Sequence, residues 1–248
     1  MTHTTVRPEP VEGLSFLSPP IKGQAFDKLS PNGSISLSHF AELIRGYRRF
    51  RETGWSRERE RWAELAEGQS PKVMVIACSD SRVDPAQIFD VRPGEIFVVR
   101  NVANLVPPYE TGGGHHGVSA ALEFAVTQLQ VEEVIVLGHG FCGGCAAALT
   151  GQFDDAPHGE GHFIADWIEL LREARDEVRR RCGGAYDRDA FHALELEGVR
   201  VSLRNLRTFP FVAEREQDGR LALRGAFFAI DEGVLHLCDE AEGTFRPA

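Results

Sequence analysis

A thiol, a carboxylate and a guanidinium lie within five consecutive positions, at Cys78, Asp80 and Arg82, and farther along the chain His139 and Cys142 stand three residues apart. Thiolate sulfur and imidazole nitrogen are the ligands that Zn²⁺ prefers, and three protein ligands with an open fourth position are typical of catalytic zinc. An iron–sulfur cluster normally requires more cysteines. These residue types therefore indicate a zinc site with one position left for a small molecule.

Two other interpretations use some of the same residues. Cys142 and Cys145 form a Cys-x-x-Cys pair, which occurs in thiol–disulfide oxidoreductases. Cys78, His139, Cys142 and Cys145 could instead make a closed zinc site in a noncatalytic domain that binds an anion. The ligand set separates these alternatives, because a redox protein carries no stoichiometric zinc and a closed site binds zinc through Cys145.

The ligands need elements that bring them together. Short apolar, β-branched runs at 73–77, 96–99 and 134–137 predict strands, and apolar residues at helical spacing over 118–129 predict a helix. Strands that alternate with crossover helices form a mostly parallel sheet flanked by helices, so the fold class is α/β.

The position of the ligands relative to these strands favours one site. In an open parallel sheet, ligands collect beyond the carboxyl ends of the strands. Cys78 follows the first predicted strand, and His139 and Cys142 follow the third. If the two strands are neighbours, we expect the three side chains to converge.

The remainder of the chain predicts flanking elements. Segments 163–181 and 191–206 have the pattern of helices with one charged face, and 221–230 with 234–238 predicts a C-terminal antiparallel hairpin.

The N-terminal region differs in composition. Residues 1–33 are rich in proline and lack periodicity, which predicts a disordered extension, and residues 34–248 are then one α/β domain. Apolar residues at helical spacing from Leu37 onward predict an amphipathic helical arm.

Composition excludes several classes of protein. The chain of 248 residues is 42% hydrophobic and 26% charged, which is enough for a full core. A net charge of −10 disfavours a nucleic acid partner. The lack of a long apolar segment and of a secretory signal predicts no membrane association and a cytoplasmic location. Five cysteines, an odd number, argue against a disulfide framework.

Three segments of the sequence resemble the β-class carbonic anhydrases. These are Cys-Ser-Asp-Ser-Arg at 78–82, Phe-Val-Val-Arg-Asn-Val-Ala-Asn-Leu-Val-Pro-Pro-Tyr at 97–109 and Gly-His-x-x-Cys-Gly-Gly at 138–144, and the similarity extends over 69–149. The resemblance implies a zinc-dependent lyase, a carbonate dehydratase, that hydrates CO₂ reversibly to bicarbonate and a proton by zinc-bound hydroxide.

The resemblance also implies the roles of individual residues. Cys78, His139 and Cys142 become the zinc ligands, and Asp80 with Arg82 becomes the catalytic pair. In that pair the carboxylate orients the attacking water, and the guanidinium holds the carboxylate ionised.

A further set of positions is implied to bind the substrate, CO₂ or bicarbonate. Gln69 matches a glutamine that can bond the substrate oxygen, Phe97 and Phe124 form an apolar wall, and Gly143 completes the set. Phe124 stands where the family usually carries tyrosine.

Some members of the family close the site with the aspartate as a fourth ligand, and bicarbonate bound in a remote pocket stabilises that state. Of that pocket only Arg100 is retained, since Val75 and Phe228 replace its tryptophan and tyrosine. We therefore predict an open site. The resemblance further implies a homodimer or a dimer-based tetramer, with the arm packed on a neighbouring subunit.

Overall fold

The computed structural model describes residues 38–112, 114–154, 161–184 and 186–248, so the extension predicted at 1–33 lies outside the described residues. The chain divides into two compact units, Met1–Ala66 and Glu67–Ala248.

The described part of the first unit is helical, as the apolar periodicity predicts. Helix α1 (His39–Phe50) begins at Ser38, whose hydroxyl accepts a hydrogen bond from the Ala41 N–H at 3.3 Å. It continues as a π-helical turn over Arg51–Trp55, and α2 (Arg59–Glu67) follows, which the sequence did not predict.

The second unit is built on a six-stranded sheet in the order β2-β1-β3-β4-β5-β6. Strands β1 to β4 are parallel, whereas β5 and β6 run antiparallel to their neighbours. The mostly parallel sheet and the C-terminal hairpin are thus confirmed, and β6 is an addition. The strands are β1 (Val73–Cys78), β2 (Ile96–Asn101), β3 (Glu133–His139), β4 (Ala222–Ala229), β5 (Val234–Asp239) and β6 (Thr244–Pro247).

Helices flank the sheet, as expected for this fold class. The helix predicted over 163–181 is interrupted by a 3₁₀ turn at Glu169–Leu171, where Ile168 and Leu171 both reach the core at the three-residue spacing of that turn. The helices of this unit are α3 (Pro85–Ile88), α4 (Gly117–Glu123), α5 (Gly143–Thr150), α6 (His162–Ile168), α7 (Arg172–Arg181), α8 (Arg188–Leu206) and α9 (Pro210–Gln217).

Helix α8 packs closely on β3. A Cβ atom on Gly138 would lie only 2.6 Å from Cγ2 of Val199, so glycine is required for this approach. Val199 and Leu203 are fully buried in one cluster with strand residues such as Met74 and Val136. The middle of α8 is therefore held beside the end of β3, where His139 lies.

The register brings the two ligand segments to one edge of the sheet. Strands β1 and β3 are parallel neighbours with Ala77 opposite Leu137. Cys78 is the next residue on β1, and His139 is the second residue after Leu137 on β3. The predicted adjacency of the two strands is confirmed.

Candidate metal centre and active site

Three side chains converge at the carboxyl edge of the sheet. Cys78 ends β1, His139 ends β3, and Cys142 is the N-cap residue of α5. Their ligand atoms all lie within 4.8 Å of one another, and all three residues are buried. Within the described ranges, no other group of three or more His, Cys, Asp or Glu residues is arranged to hold a metal ion.

The imidazole of His139 is oriented for metal binding. Its Nδ1 lies 2.9 Å from the Gly140 carbonyl oxygen, and with Nδ1 as the donor the lone pair is on Nε2. That Nε2 atom is buried and has no hydrogen-bond partner. A buried nitrogen left without a partner is costly, so its position toward the two sulfurs fits a metal ligand.

The two sulfur atoms also fit a cation. A hydrogen bond with Cys142 and burial raise the pKa of Cys78 to about 12. Buried thiols in such a pair ionise when a metal ion binds both, since the ion's charge replaces the protons. The Ala103 N–H donates to Cys78 Sγ at 3.4 Å, which supports a thiolate. Two thiolates and one neutral imidazole suit Zn²⁺.

Asp80 and Arg82 form a fixed pair beside these ligands. Arg82 Nε and Nη2 donate to Asp80 Oδ1 and Oδ2 at 2.9 and 2.7 Å, and the Arg82 backbone N–H donates to Oδ1 at 3.0 Å. The Arg82 guanidinium lowers the pKa of Asp80 to about 2. The carboxylate binds the guanidinium and is not in the metal-ligating group.

Arg100 and Arg82 connect the loops around the site. Arg100 donates to the carbonyl oxygens of Cys78, Asp80 and Val83 at 2.9, 2.7 and 3.0 Å, so it fixes the turn after β1. Arg82 Nη2 also donates to the Phe141 carbonyl oxygen at 2.9 Å. Sequence reasoning missed both bridging roles, although Arg100 is a charged residue in an otherwise apolar strand.

Cys145 does not complete a four-ligand site. Its sulfur lies outside the metal-ligating group and faces α8, where a Cβ atom on Gly198 would be 3.8 Å away. Cys142 and Cys145 are both buried free thiols, and a hydrogen bond with Cys145 raises the pKa of Cys142 well above its usual value. A redox cysteine pair needs an exposed thiol with a lowered pKa. This geometry therefore favours neither a thiol–disulfide oxidoreductase nor a closed zinc site with four protein ligands.

The structure brings only one of the four predicted substrate residues next to the metal ligands. Gly143 follows Cys142 at the first turn of α5. Gln69 precedes β1, at the end of that strand opposite Cys78. Phe97 pairs with Met74, four residues before Cys78 on the strand and therefore about 13 Å from it.

Phe97 and Phe124 do lie together. Their ring centroids are 6.0 Å apart, and Phe124 is 45% exposed. The aromatic wall thus exists as a surface feature, away from the ligand edge of the same chain.

Comparison with known proteins identifies the family. The carbonic anhydrase family model matches residues 73–235. Over 211 residues, which are 85% of this chain and 81% of the relative, the sequence is 36% identical to beta carbonic anhydrase 3 of Arabidopsis thaliana. The chain belongs to the β-carbonic anhydrase family.

Solved structures of β-carbonic anhydrases share the fold. The β-carbonic anhydrase CcaA superposes with a TM-score of 0.79 at 32% identity, over 86% of this chain and 93% of that chain. A tetrameric β-carbonic anhydrase of the ascomycete Sordaria macrospora superposes with a TM-score of 0.70 at 27% identity, over 80% and 95% of the two chains.

Family membership and the Cys-His-Cys group together establish the activity. This carbonic anhydrase is a zinc-dependent lyase that hydrates CO₂ to bicarbonate and a proton in a reversible reaction. The redox and noncatalytic interpretations of the same residues are therefore wrong for this chain.

One buried charged residue near the site escaped sequence reasoning. Glu195 of α8 is 3% exposed, and its Oε1 accepts a hydrogen bond from the Cys142 N–H at 3.1 Å. Its position on the buried face of α8, beside Leu194 and four residues before Val199, was the available signal.

Proposed function

We propose that Cys78, His139 and Cys142 hold the zinc ion and leave its fourth position open to water and CO₂. The observation that carries this assignment is the convergence of three buried ligand atoms, one of them an imidazole nitrogen without another partner. A zinc ion held by these three residues would lower the pKa of a bound water molecule to about 7 and so supply the hydroxide nucleophile.

Asp80 orients that water through Oδ2. A carboxylate oxygen has two acceptor positions, and Oδ1 already accepts from the backbone N–H and Nε of Arg82. Oδ2 accepts only from Nη2 of Arg82 among the described contacts, so one position remains. Because Arg82 keeps the carboxylate ionised, Oδ2 can accept a hydrogen bond from that water at any working pH and would fix the orientation of the water toward CO₂.

Replacement of Asp80 tests this role. Asp80→Ala is expected to bind one zinc per chain and to lose about 10²-fold or more in kcat, because the water is no longer oriented. Zinc content and stopped-flow CO₂ hydration are the measurements, and a chelator should abolish wild-type activity until zinc is restored. Ser81→Ala, at the exposed position between the pair, is the matched control. Full turnover in Asp80→Ala would contradict the assignment.

We propose that a second copy of the chain supplies the remaining substrate residues. Gln69 precedes β1, at the end of that strand opposite Cys78, and Phe97 pairs with Met74 near the same end. Phe124 packs on Phe97 and is exposed. An apolar wall with one amide suits CO₂, which is small and has no net dipole. This arrangement requires a homodimer or a dimer-based tetramer with the active site near the subunit interface.

We further infer a cytoplasmic enzyme whose partners are CO₂ and bicarbonate, with neither nucleic acid nor membrane as a partner. All five cysteines are free thiols, which is usual where thiols stay reduced. The charge of −10 opposes binding to a phosphate backbone. Cell fractionation that places the protein in an oxidising compartment would contradict the location.

None of the helices in the described ranges is both long enough and apolar enough to span a bilayer.

A further inference from the structure

Glu195 is a buried carboxylate that the proposed chemistry does not use. It lies at the start of the third turn of α8, on the face that packs toward the sheet, and its side chain is 2% exposed. A buried charge is expensive unless it is paired and hydrogen-bonded. The partners of Glu195 therefore indicate what the residue does.

Two of these partners connect Glu195 to the metal-ligating loop. Oε1 accepts from the backbone N–H of Cys142 at 3.1 Å. Arg188, two helical turns away on the same face of α8, donates Nη1 to Oε1 at 3.1 Å and Nη2 to Oε2 at 3.2 Å. Glu195 thus holds the backbone N–H of Cys142 with Oε1 and the guanidinium of Arg188 with both carboxylate oxygens.

Arg188 in turn contacts the middle of the loop. Its guanidinium carbon lies 4.1 Å from the centroid of the Phe141 ring, a cation–π contact. Phe141 has a φ of 58°, a left-handed conformation that is unfavourable in a residue other than glycine. Such a conformation persists where neighbouring groups impose it, and Arg188 packs directly on its side chain.

The strained conformation has a use in the active site. It directs the Phe141 carbonyl oxygen toward Arg82, whose Nη2 donates to it at 2.9 Å while also donating to Asp80 Oδ2 at 2.7 Å. A continuous set of contacts therefore runs from Glu195 through Arg188 and Phe141 to the Arg82–Asp80 pair.

We propose that Glu195 is a positioning residue for the site: with Arg188 it holds loop 139–142 so that Cys142 meets the metal and Arg82 meets Asp80. This inference rests on the proposed zinc ligands. A merely stabilising role explains the pair poorly, because an apolar residue packed in the same volume is often as stable as a buried ion pair or more so. Only a carboxylate accepts a hydrogen bond from the Cys142 N–H and at the same time orients the Arg188 guanidinium with both oxygens.

The test uses the zinc-loaded full chain with Glu195→Gln, which keeps the shape of the side chain, and Glu195→Ala. Both are expected to weaken zinc affinity about 10–100-fold by chelator competition, as is common when a group that orients a ligand is removed. In the Co²⁺-substituted protein the visible absorption bands are expected to shift, because the Cys142 sulfur moves. We expect kcat to fall more than KM changes, since Asp80 loses its fixed orientation.

Glu197→Gln is the matched control. Glu197 lies two residues along α8 and accepts from Arg200 Nη1 at 2.8 Å, so its loss also removes an ion pair from that helix. This variant should retain zinc affinity, cobalt spectrum and kcat. Arg188→Met is expected to reproduce the spectral shift and the loss of kcat, which keeps the proposal testable if Glu195→Ala does not fold.

The outcomes separate two failures. If the wild-type chain binds no zinc, the ligand assignment itself fails. If the wild type binds one zinc and Glu195→Gln matches it in affinity, cobalt spectrum and kcat, the ligands stand and the positioning role is wrong. The same conclusion follows if Glu197→Gln and Glu195→Gln change these quantities equally.

Discussion

The role proposed for the Asp80 carboxylate depends on which of its lone pairs already accept hydrogen bonds. Arg82 takes three of the four acceptor positions on Asp80, two through its side chain and one through its backbone N–H. The remaining position belongs to Oδ2. This occupancy explains why the pair is separated by a single residue: the backbone N–H and the guanidinium of Arg82 both reach the same carboxylate.

At this scale we predict that a lysine cannot replace Arg82. Arg82→Lys keeps the positive charge but lacks the planar fork, so Asp80 and the Phe141 carbonyl no longer share one rigid donor. Loss of one charge-assisted hydrogen bond corresponds to about 10–100-fold in kcat. Stopped-flow kinetics at full zinc occupancy measures it.

A surface pair provides the control for that substitution. Arg92 pairs with Glu95 at 3.2 Å, with the arginine 61% exposed, so Arg92→Lys should leave kcat unchanged. Undiminished turnover in Arg82→Lys would show that charge alone suffices and that the bidentate geometry has no role.

Prediction from sequence succeeded at the residue scale where the chemistry is local. Cys78 ends a strand and Asp80 and Arg82 follow within one turn, and their types already indicate a metal ligand and a carboxylate–guanidinium pair. Glu195 could not be assigned in this way, because its partner Cys142 is distant in the sequence and the hydrogen bond depends on how α8 crosses β3.

At the scale of elements, the site depends on close packing between α5 and the loop after β2. A Cβ atom on Gly144 would lie 2.6 Å from Val102 Cγ1 and 3.0 Å from Ala103 Cβ. Ala103 also donates its N–H to Cys78 Sγ. The segment with Val102 and Ala103 therefore contacts both the start of α5 and the sulfur of Cys78.

Adjacent glycines give a sharp test of this packing. Gly144→Ala is expected to destabilise the zinc-loaded protein by about 1–3 kcal/mol, because the added methyl overpacks against Val102. Gly143→Ala should show no such loss, since a Cβ there meets no atom within 4 Å. Urea unfolding with zinc present measures both, and an equal loss in the two variants would refute the packing argument.

The sequence predicted the sheet better than the helices around it. Buried parallel strands are continuous apolar runs, and β1 to β3 fall on those runs. Helix α9 and strand β6 were missed. Both are short, and their placement depends on packing against the sheet and not on a strong local pattern.

At the scale of the whole molecule, the arm presents an apolar face. Phe40, Leu43 and Tyr47 of α1 are 70%, 71% and 55% exposed, and no residue of α1 within the described chain is buried. Exposed apolar groups in such a row are typical of a contact with another chain. This supports the proposal of a homodimer or a dimer-based tetramer.

A pair of double substitutions tests the role of that face. Leu43→Ser with Tyr47→Ser is expected to shift the chain toward monomer in sedimentation velocity. It is also expected to lower kcat, since in the proposed dimer a second copy supplies the substrate wall. Arg45→Ser with Arg49→Ser places the same number of serines on the opposite face of α1 and should leave the assembly intact. If the first variant remains as associated as wild type, the arm does not mediate assembly.

The sequence by itself determined the chemistry and the sheet that carries it, because residue types select the metal and apolar periodicity selects strands. Tertiary structure decided which side chains meet. It directed Cys145 toward α8, placed Gln69 and Phe97 away from Cys78, and brought Glu195 to the Cys142 N–H. Such contacts join distant segments, and strand register and helix packing fix them only when the whole core forms.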